Sequence, residues 1–358
     1  MIRYYDLGKD RKLHDIVVAG THDAGITGGG SGVQTQALDI GGQAMAGVRF
    51  FDIRVAAAVT SAKHPSGRPV AELRAFHADD KVVMKRDRNV MLKAPLMGNT
   101  PVNVKQSKLA GGAFGLSLTS MLQQARNFVS SSEGGTEFLI LKFDKCTNWA
   151  HIADACRTTL GLSLYTARGN LNTKSLGELS GKVIVLFSSS GLAELGTDTR
   201  GILGFKNLSA KGAGYEDGYH GLQYYGKGGT SPFNPRNKLK QNIKKQTKLM
   251  DAAAAMQRSE VIGMMYWTTT GLVESIRKRD SGMWDTPNIA RMKTLWSRGL
   301  RDYVDDRISL PTSNSLAKAQ QRRGFFPNIV MMDFADDRRC QIIHGLNSLT
   351  AGEVTGLD

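Results

Sequence analysis

The chain has 358 residues, 41% hydrophobic and 22% charged, with 40 glycines in no collagen-like period. That composition excludes a disordered polymer and supplies a sizeable core, and no run of about eighteen apolar residues marks a membrane-crossing helix. Against 32 Asp and Glu stand 47 Lys and Arg, a formal charge of +15 that favours anionic partners.

The opening stretch MIRYYDLGKDRKLHDIVVAG has charges on both sides of a short apolar run, which is not the pattern of a secretory signal. IVVAG at 16–20 predicts a buried strand, followed by a Gly-rich turn and a helix over 34–46. The glycines at 28–32 lack the GK[ST] ending of a phosphate-binding loop and read as a mobile loop. VRFFDIRV at 48–55 is a second strand and LRAFH at 73–77 a third. Helical spacing over 117–131 precedes a strand at 137–144, EFLILKFD. A helix near 148–160 leads to KVIVLFSS at 182–189. The stretch 190–235 is Gly-rich and irregular, and a long basic helix over about 236–258 follows it. VIGMMYWTTT at 261–270 and NIVMMDFAD at 328–336 are the last strands, with helices expected over 287–306, 313–323 and 337–348.

Strands alternating with helices predict a parallel sheet covered on both faces. Seven such strands, with an eighth inside 200–225, fit an α/β fold of the distorted (β/α)8 TIM-barrel type. The expectation is one domain over 1–358 with an irregular insertion at about 190–235. An open doubly wound sheet is the alternative, but no GxGxxG or P-loop follows the first strand.

Chemically capable residues sit where the apolar strands end: His22 and Asp23, Asp52 and Arg54, His77, Lys142 and Asp144, and Asp333. In a β/α barrel those ends converge on one mouth. Asp52 and Arg54 are two apart, as are Lys142 and Asp144, so each pair shares a strand face and must be paired or bind a ligand. Taken singly, each has an ordinary reading as a loop histidine, an ion pair or a helix cap. Together they describe a site. Two histidines suit base and acid work near neutral pH. An arginine between them suits a phosphate, which its fork of donors matches. Base, acid and phosphate clamp fit in-line displacement at a phosphodiester through a cyclic phosphate.

At these residues the sequence resembles the bacterial phosphatidylinositol-specific phospholipase C family, the X-domain fold. IVVAGTHDAG (16–25), AGVRFFDIRV (46–55), FHADD (76–80), TEFLILKFDK (136–145), LGELSGKVIVLF (176–187) and NIVMMDFAD (328–336) carry the likeness, in order. The resemblance implies a distorted barrel that cleaves phosphatidylinositol to diacylglycerol and a cyclic inositol phosphate. It makes His22 the general base, oriented by Asp333, and His77 the general acid, supported by Asp23. Asp52 and Arg54 form the strand-two pair, Arg54 on the phosphate. Lys142 and Asp144 belong to the substrate side. The calcium-dependent branch has carboxylates at both strand-two positions; Arg54 here implies the metal-independent branch and no cofactor. A calcium site of Asp23, Asp52 and Asp144 is the alternative.

Three departures bear on the substrate. The family's His-Gly pair reads His77-Ala78, the arginine after the fifth strand reads Ser188, and 190–235 offers no counterpart of the headgroup aspartate. The phosphodiester machinery matches; the inositol reader does not. A phospholipid or another phosphodiester is therefore the expected substrate. The basic helix and a second stretch (Lys81, Lys85, Arg86, Arg88, Lys93) read equally as solvated faces or as contacts to an anionic membrane, with Tyr224, Tyr225 and Trp284 as candidate anchors. No nucleic-acid module accompanies the charge. Three cysteines (Cys146, Cys156, Cys340) show no zinc spacing and read as reduced or inert. The expected location is secreted or peripheral at a membrane, exported without a standard signal, with the cytoplasm as alternative. A metal-dependent phosphodiesterase and a non-catalytic binder of anionic membranes are the competing readings.

Overall fold

The computed structural model describes residues 1–78, 83–93, 101–109, 112–226, 260–268, 275–293 and 327–348, with seven helical residues between 241 and 249. Thirteen strands are described: β1 (Val18–Thr21), β2 (Val48–Ile53), β3 (Val55–Lys63), β4 (Pro69–His77), β5 (Val83–Lys93), β6 (Val102–Leu109), β7 (Ala113–Ser117), β8 (Phe138–Phe143), β9 (Lys182–Phe187), β10 (Ile202–Asn207), β11 (Gly221–Tyr225), β12 (Ile262–Trp267) and β13 (Ile329–Met332). Eight of them, all parallel, close into a barrel in the order β1-β13-β12-β11-β10-β9-β8-β2.

The barrel strands read as near-continuous apolar runs because both faces are covered. Their period-two alternation sorts side chains into two cores. Val18, Phe50, Ile140, Ile184, Leu222, Ile262, Ile329 and Met331 fill the lumen. Ala19, Phe51, Leu139, Leu141, Val183, Val185 and Val330 pack outward, with residues of the helices Leu118–Val129 and Trp149–Leu160 in the same core. Gly20 lies on the lumen side of β1, where a Cβ would meet the Met331 sulfur at 2.5 Å. The helices start where the sequence supplies caps: Asp39 accepts from Gly42 N–H, Ser117 from Ser120 N–H and Ser175 from Glu178 N–H.

Three expectations need correction. LRAFH is β4, but β4 is not a barrel strand. It pairs antiparallel with β3 and β7 in a separate five-stranded sheet inserted between β2 and β8. Alternation identifies a strand but not the sheet that it joins. The region 190–235 is not irregular throughout: helix Ser189–Leu195, β10 and β11 occupy it as far as Tyr225, so it holds two barrel strands rather than one. Together these changes keep the barrel at eight strands. The helix expected over 34–46 begins only at Ile40; Thr35 and Gln36 are buried in the loop before it.

Of the membrane anchors, Tyr224 and Trp284 are buried, at 3% and 5% exposure, and Tyr225 packs against the core. The three cysteines are free and buried. The stretch 313–323, Lys81 and most of the basic helix over 236–258 lie outside the described residues. No helix among the described residues is long and apolar enough to cross a membrane.

Candidate active site

Strand register builds the first half of the site. Thr21 on β1 lies opposite Met332 on β13, so the next residue on each, His22 and Asp333, emerge side by side. His22 Nδ1 is 3.1 Å from Asp333 Oδ1, and the His22 N–H donates to the Met332 carbonyl at 3.0 Å. Asp23 follows with a φ of +46°, a left-handed conformation that Asp adopts more readily than most residues.

The second half comes from the inserted sheet. Arg54 links β2 to β3, and the β3–β4 pairing sets Val55 against Ala75, which brings His77 up beside Arg54. The Arg54 guanidinium grips Asp23 with two hydrogen bonds, Nε to Oδ1 at 2.8 Å and Nη2 to Oδ2 at 2.5 Å, and Nη1 donates to the Ala78 carbonyl at 3.2 Å. His77 Nδ1 is 2.5 Å from Asp23 Oδ2 and 3.2 Å from Arg54 Nη2. The nitrogen cannot accept from one and donate to the other at once. The shorter, charge-assisted contact assigns it as a donor to Asp23, which leaves Nε2 for chemistry.

One carboxylate thus ties the two halves together. Asp23 is almost wholly buried, holds Arg54 and His77, and has Oδ2 3.5 Å from His22 Nε2. Burial is the largest influence on its acidity and pushes the pKa up. Arg54 and then His22 oppose it, with hydrogen bonds from His77 and Arg54, and hold the carboxyl well below its ordinary value. His22 shows the mirror image. Burial pulls its pKa down, but the charge of Asp23 and the bond to Asp333 outweigh it, and the imidazole rises to about 9. For Asp333, burial dominates and raises the carboxyl, against the pull of His22. Between them, His22 and His77 remain about a quarter open to solvent, at 23% and 25%.

Deeper in the lumen, Asp52 and Lys142 are register partners across β2 and β8. Lys142 Nζ is 2.9 Å from Asp52 Oδ1 and 3.3 Å from Asp144 Oδ2, and 4.7 Å from the Phe205 ring centroid. Burial presses on the ammonium, but Asp52 leads a set of neighbours that raise its pKa well above the usual lysine value. All eight residues singled out in the sequence therefore sit at strand ends around one mouth. The alternative calcium set does not form a vacant oxygen cage. Asp23 is spent on Arg54 and His77, while Asp52 and Asp144 share Lys142. Among the described residues no cluster of three or more His, Cys, Asp or Glu is arranged for a metal.

The sequence reading missed Gln36. Its side chain is completely buried, donates to the carbonyls of His22 at 3.0 Å and Met332 at 3.3 Å, and accepts from the Ala335 N–H at 3.1 Å. It sutures the ends of β1 and β13 behind the histidine. A glutamine in a polar loop has no spacing that announces this. Ser188 caps helix Ser189–Leu195, accepting from Gly191 N–H at 3.4 Å, and bonds to Ser190.

Among solved structures, the chain is similar to phosphatidylinositol-specific phospholipase C from Staphylococcus aureus, in work on modulation of its membrane binding. The TM-score is 0.54 at 16% identity over 95% of each chain. Phosphatidylinositol-specific phospholipase C from Listeria monocytogenes matches at a TM-score of 0.48 and 14% identity over 96% of each chain. A calcium-dependent phosphoinositol-specific phospholipase C from a Pseudomonas species matches at 0.38 and 11%, over 73% of this chain and 85% of that one. No family model and no curated protein matches the sequence. At such identities the likeness concerns the fold.

Proposed function

We propose that this chain is a phospholipase C-like phosphodiesterase, acting on phosphatidylinositol or a related phosphodiester by two-histidine acid–base catalysis without a metal. The observation that carries the reading is the pair of imidazoles, each with Nδ1 against a buried carboxylate, flanking one guanidinium.

In the first step His22 Nε2 takes the proton of a headgroup hydroxyl neighbouring the phosphate. That oxygen attacks phosphorus, and the bond from phosphorus to the diacylglycerol oxygen breaks. His77 gives its proton to the leaving oxygen, so a cyclic phosphate and diacylglycerol result. Asp333 and Asp23 hold the two rings in the tautomers this needs. Arg54 faces the equatorial oxygens as charge develops. Water can then open the cyclic product with the histidine roles exchanged. Asp52, Lys142 and Asp144 line the headgroup side.

The free enzyme carries His22 as an imidazolium up to about pH 9. Its base role therefore opens on the alkaline side, a property that the pH profile reads directly. A place at an anionic membrane surface, whether secreted or peripheral, belongs to this reading. Its support is the basic ribbon of β5 and β6, which exposes Lys85, Arg86, Arg88, Lys105 and Lys108.

The test is product analysis on mixed phospholipid vesicles with chelator present, for wild type and His22→Ala. Diacylglycerol and a cyclic phosphate from wild type alone are expected. Turnover that appears only when calcium is added back would replace this reading by the metal-dependent one. Vesicle binding without any product would replace it by the non-catalytic one.

A further inference from the structure

We propose that Arg339 and Asp280 form a positioning unit for the His22–Asp333 pair: Arg339 fixes the backbone that aims Asp333, and Asp280 fixes Arg339. The inference rests on the reading of His22 as the base.

Arg339 lies in the first turn of helix Asp337–Gly345, yet its side chain is only 13% exposed. Its Nη1 donates to the carbonyl oxygens of both Asp333 and Phe334, each at 2.7 Å. Those carbonyls belong to the turn that leaves β13. There Phe334 has a φ of +47°, a left-handed backbone that a bulky side chain keeps only when its surroundings hold it. The surroundings do hold it. Its N–H donates to the Thr35 carbonyl at 2.7 Å, its side chain is buried, and the Arg277 guanidinium lies 5.2 Å from its ring centroid. Asp333 is the residue immediately before, so the angle of this turn sets where its carboxylate points.

Asp280, on helix Ile276–Met283, is wholly buried and puts Oδ2 2.6 Å from the same Arg339 nitrogen. Asp336 is 3.5 Å from Arg339 Nε, and the Trp284 ring centroid is 5.2 Å from the guanidinium. A carboxylate buried this deeply needs a partner to stay. The groups that face it are Asp333 from the end of β13, Arg339 from the last helix and the Trp284 indole. Burial, then the charge of Asp333, pushes the Asp280 carboxyl up to about 8, with Arg339 pulling the other way. The arrangement is an arginine shared by one carboxylate and two backbone carbonyls. A lysine does not reproduce it, because its ammonium ends one bond short of the Nη1 position at which all three contacts meet.

The experiment is NMR titration of the His22 ring in the full chain without substrate, for wild type, Asp280→Asn and Arg339→Lys, alongside kcat, KM and melting temperature. Both variants are expected to lower the His22 midpoint. At the alkaline pH where His22 titrates Asp280 is charged, so Asp280→Asn there leaves a positive charge uncompensated beside Asp333. Arg339→Lys keeps the charge but releases the turn, which loosens the Asp333 hydrogen bond. In both, kcat falls about tenfold, the scale of a small misplacement of a catalytic group, while KM stays within about twofold. An unmoved His22 midpoint in both variants overturns the proposal, and so does a lowered melting temperature with the midpoint unmoved. If Asp280→Asn fails to fold, Arg339→Lys alone decides. Because the titration uses no substrate, it stands even where the product analysis fails.

Discussion

Arg49 and Arg54 lie five positions apart on one stretch of chain, and each is bound to a buried carboxylate. Arg49 sits on the shell side of β2, completely buried with Glu137, their Nε–Oε2 distance 2.7 Å. Its other nitrogens donate to the carbonyls of Ala44, Val48 and Ile2, and its guanidinium lies between the Tyr4 and Phe128 rings. Arg54 is at the mouth, 14% exposed, with two imidazoles beside its carboxylate. The chemistry of the pairs is alike; what differs is who else can reach them. A sealed pair with every guanidinium nitrogen engaged can only hold the shell together. An open pair beside two titratable rings can meet a substrate.

The contrast can be broken by substitution. His22→Ala and His77→Ala should each cost about 100- to 10,000-fold in turnover, the usual range for a positioned acid or base. Circular dichroism should show both variants folded; full turnover in either would remove the two-histidine mechanism. Next in size is a double dissociation. Arg49→Met strands Glu137 in the shell and should cost ~3–5 kcal/mol of stability, read as a lower denaturant midpoint, while turnover per folded molecule holds. Arg54→Lys should do the reverse, with turnover down by ~100-fold or more and the midpoint close to wild type. If both arginines behaved alike, exposure would not be what separates them.

Asp333→Asn sharpens the open side. In wild type, kcat/KM should climb from neutral pH toward about 9, as His22 loses its proton and becomes a base. Removing the Asp333 charge and hydrogen bond lets that pKa fall, so the rising limb moves to lower pH and the plateau drops. A limb that stayed in place would detach it from His22. The smallest effect belongs to the basic ribbon. Reversing Arg86 and Arg88 to Glu should weaken binding to anionic vesicles by ~1 kcal/mol for each charge lost. Hydrolysis of a water-soluble substrate should be unchanged.

Polar residues closing apolar strands were enough to pick out eight side chains that the fold gathers at one mouth, because barrel strands are apolar until they reach it. The route by which His77 arrives was not legible. LRAFH alternates like any strand, and nothing in it tells a barrel neighbour from a strand of an inserted sheet. β10 and β11 were hard to see because ILGFKN and GLQYY are short and carry Gly and polar residues. Gln36, Asp280 and Arg339 escaped for another reason. Their work is to satisfy backbone or charge brought from far along the chain, and only the closed fold creates that demand.

His22 and Asp333 hang on the first and last strands of the barrel, 311 residues apart in sequence and hydrogen-bonded in space. A chain still growing on the ribosome has His22 early but no Asp333, and its barrel has no closing strand. Such a chain cannot hold the His22 ring as the finished molecule does. Ring closure therefore ties the His22–Asp333 contact to the order of synthesis: the pair forms only after the strand that closes the barrel has been made.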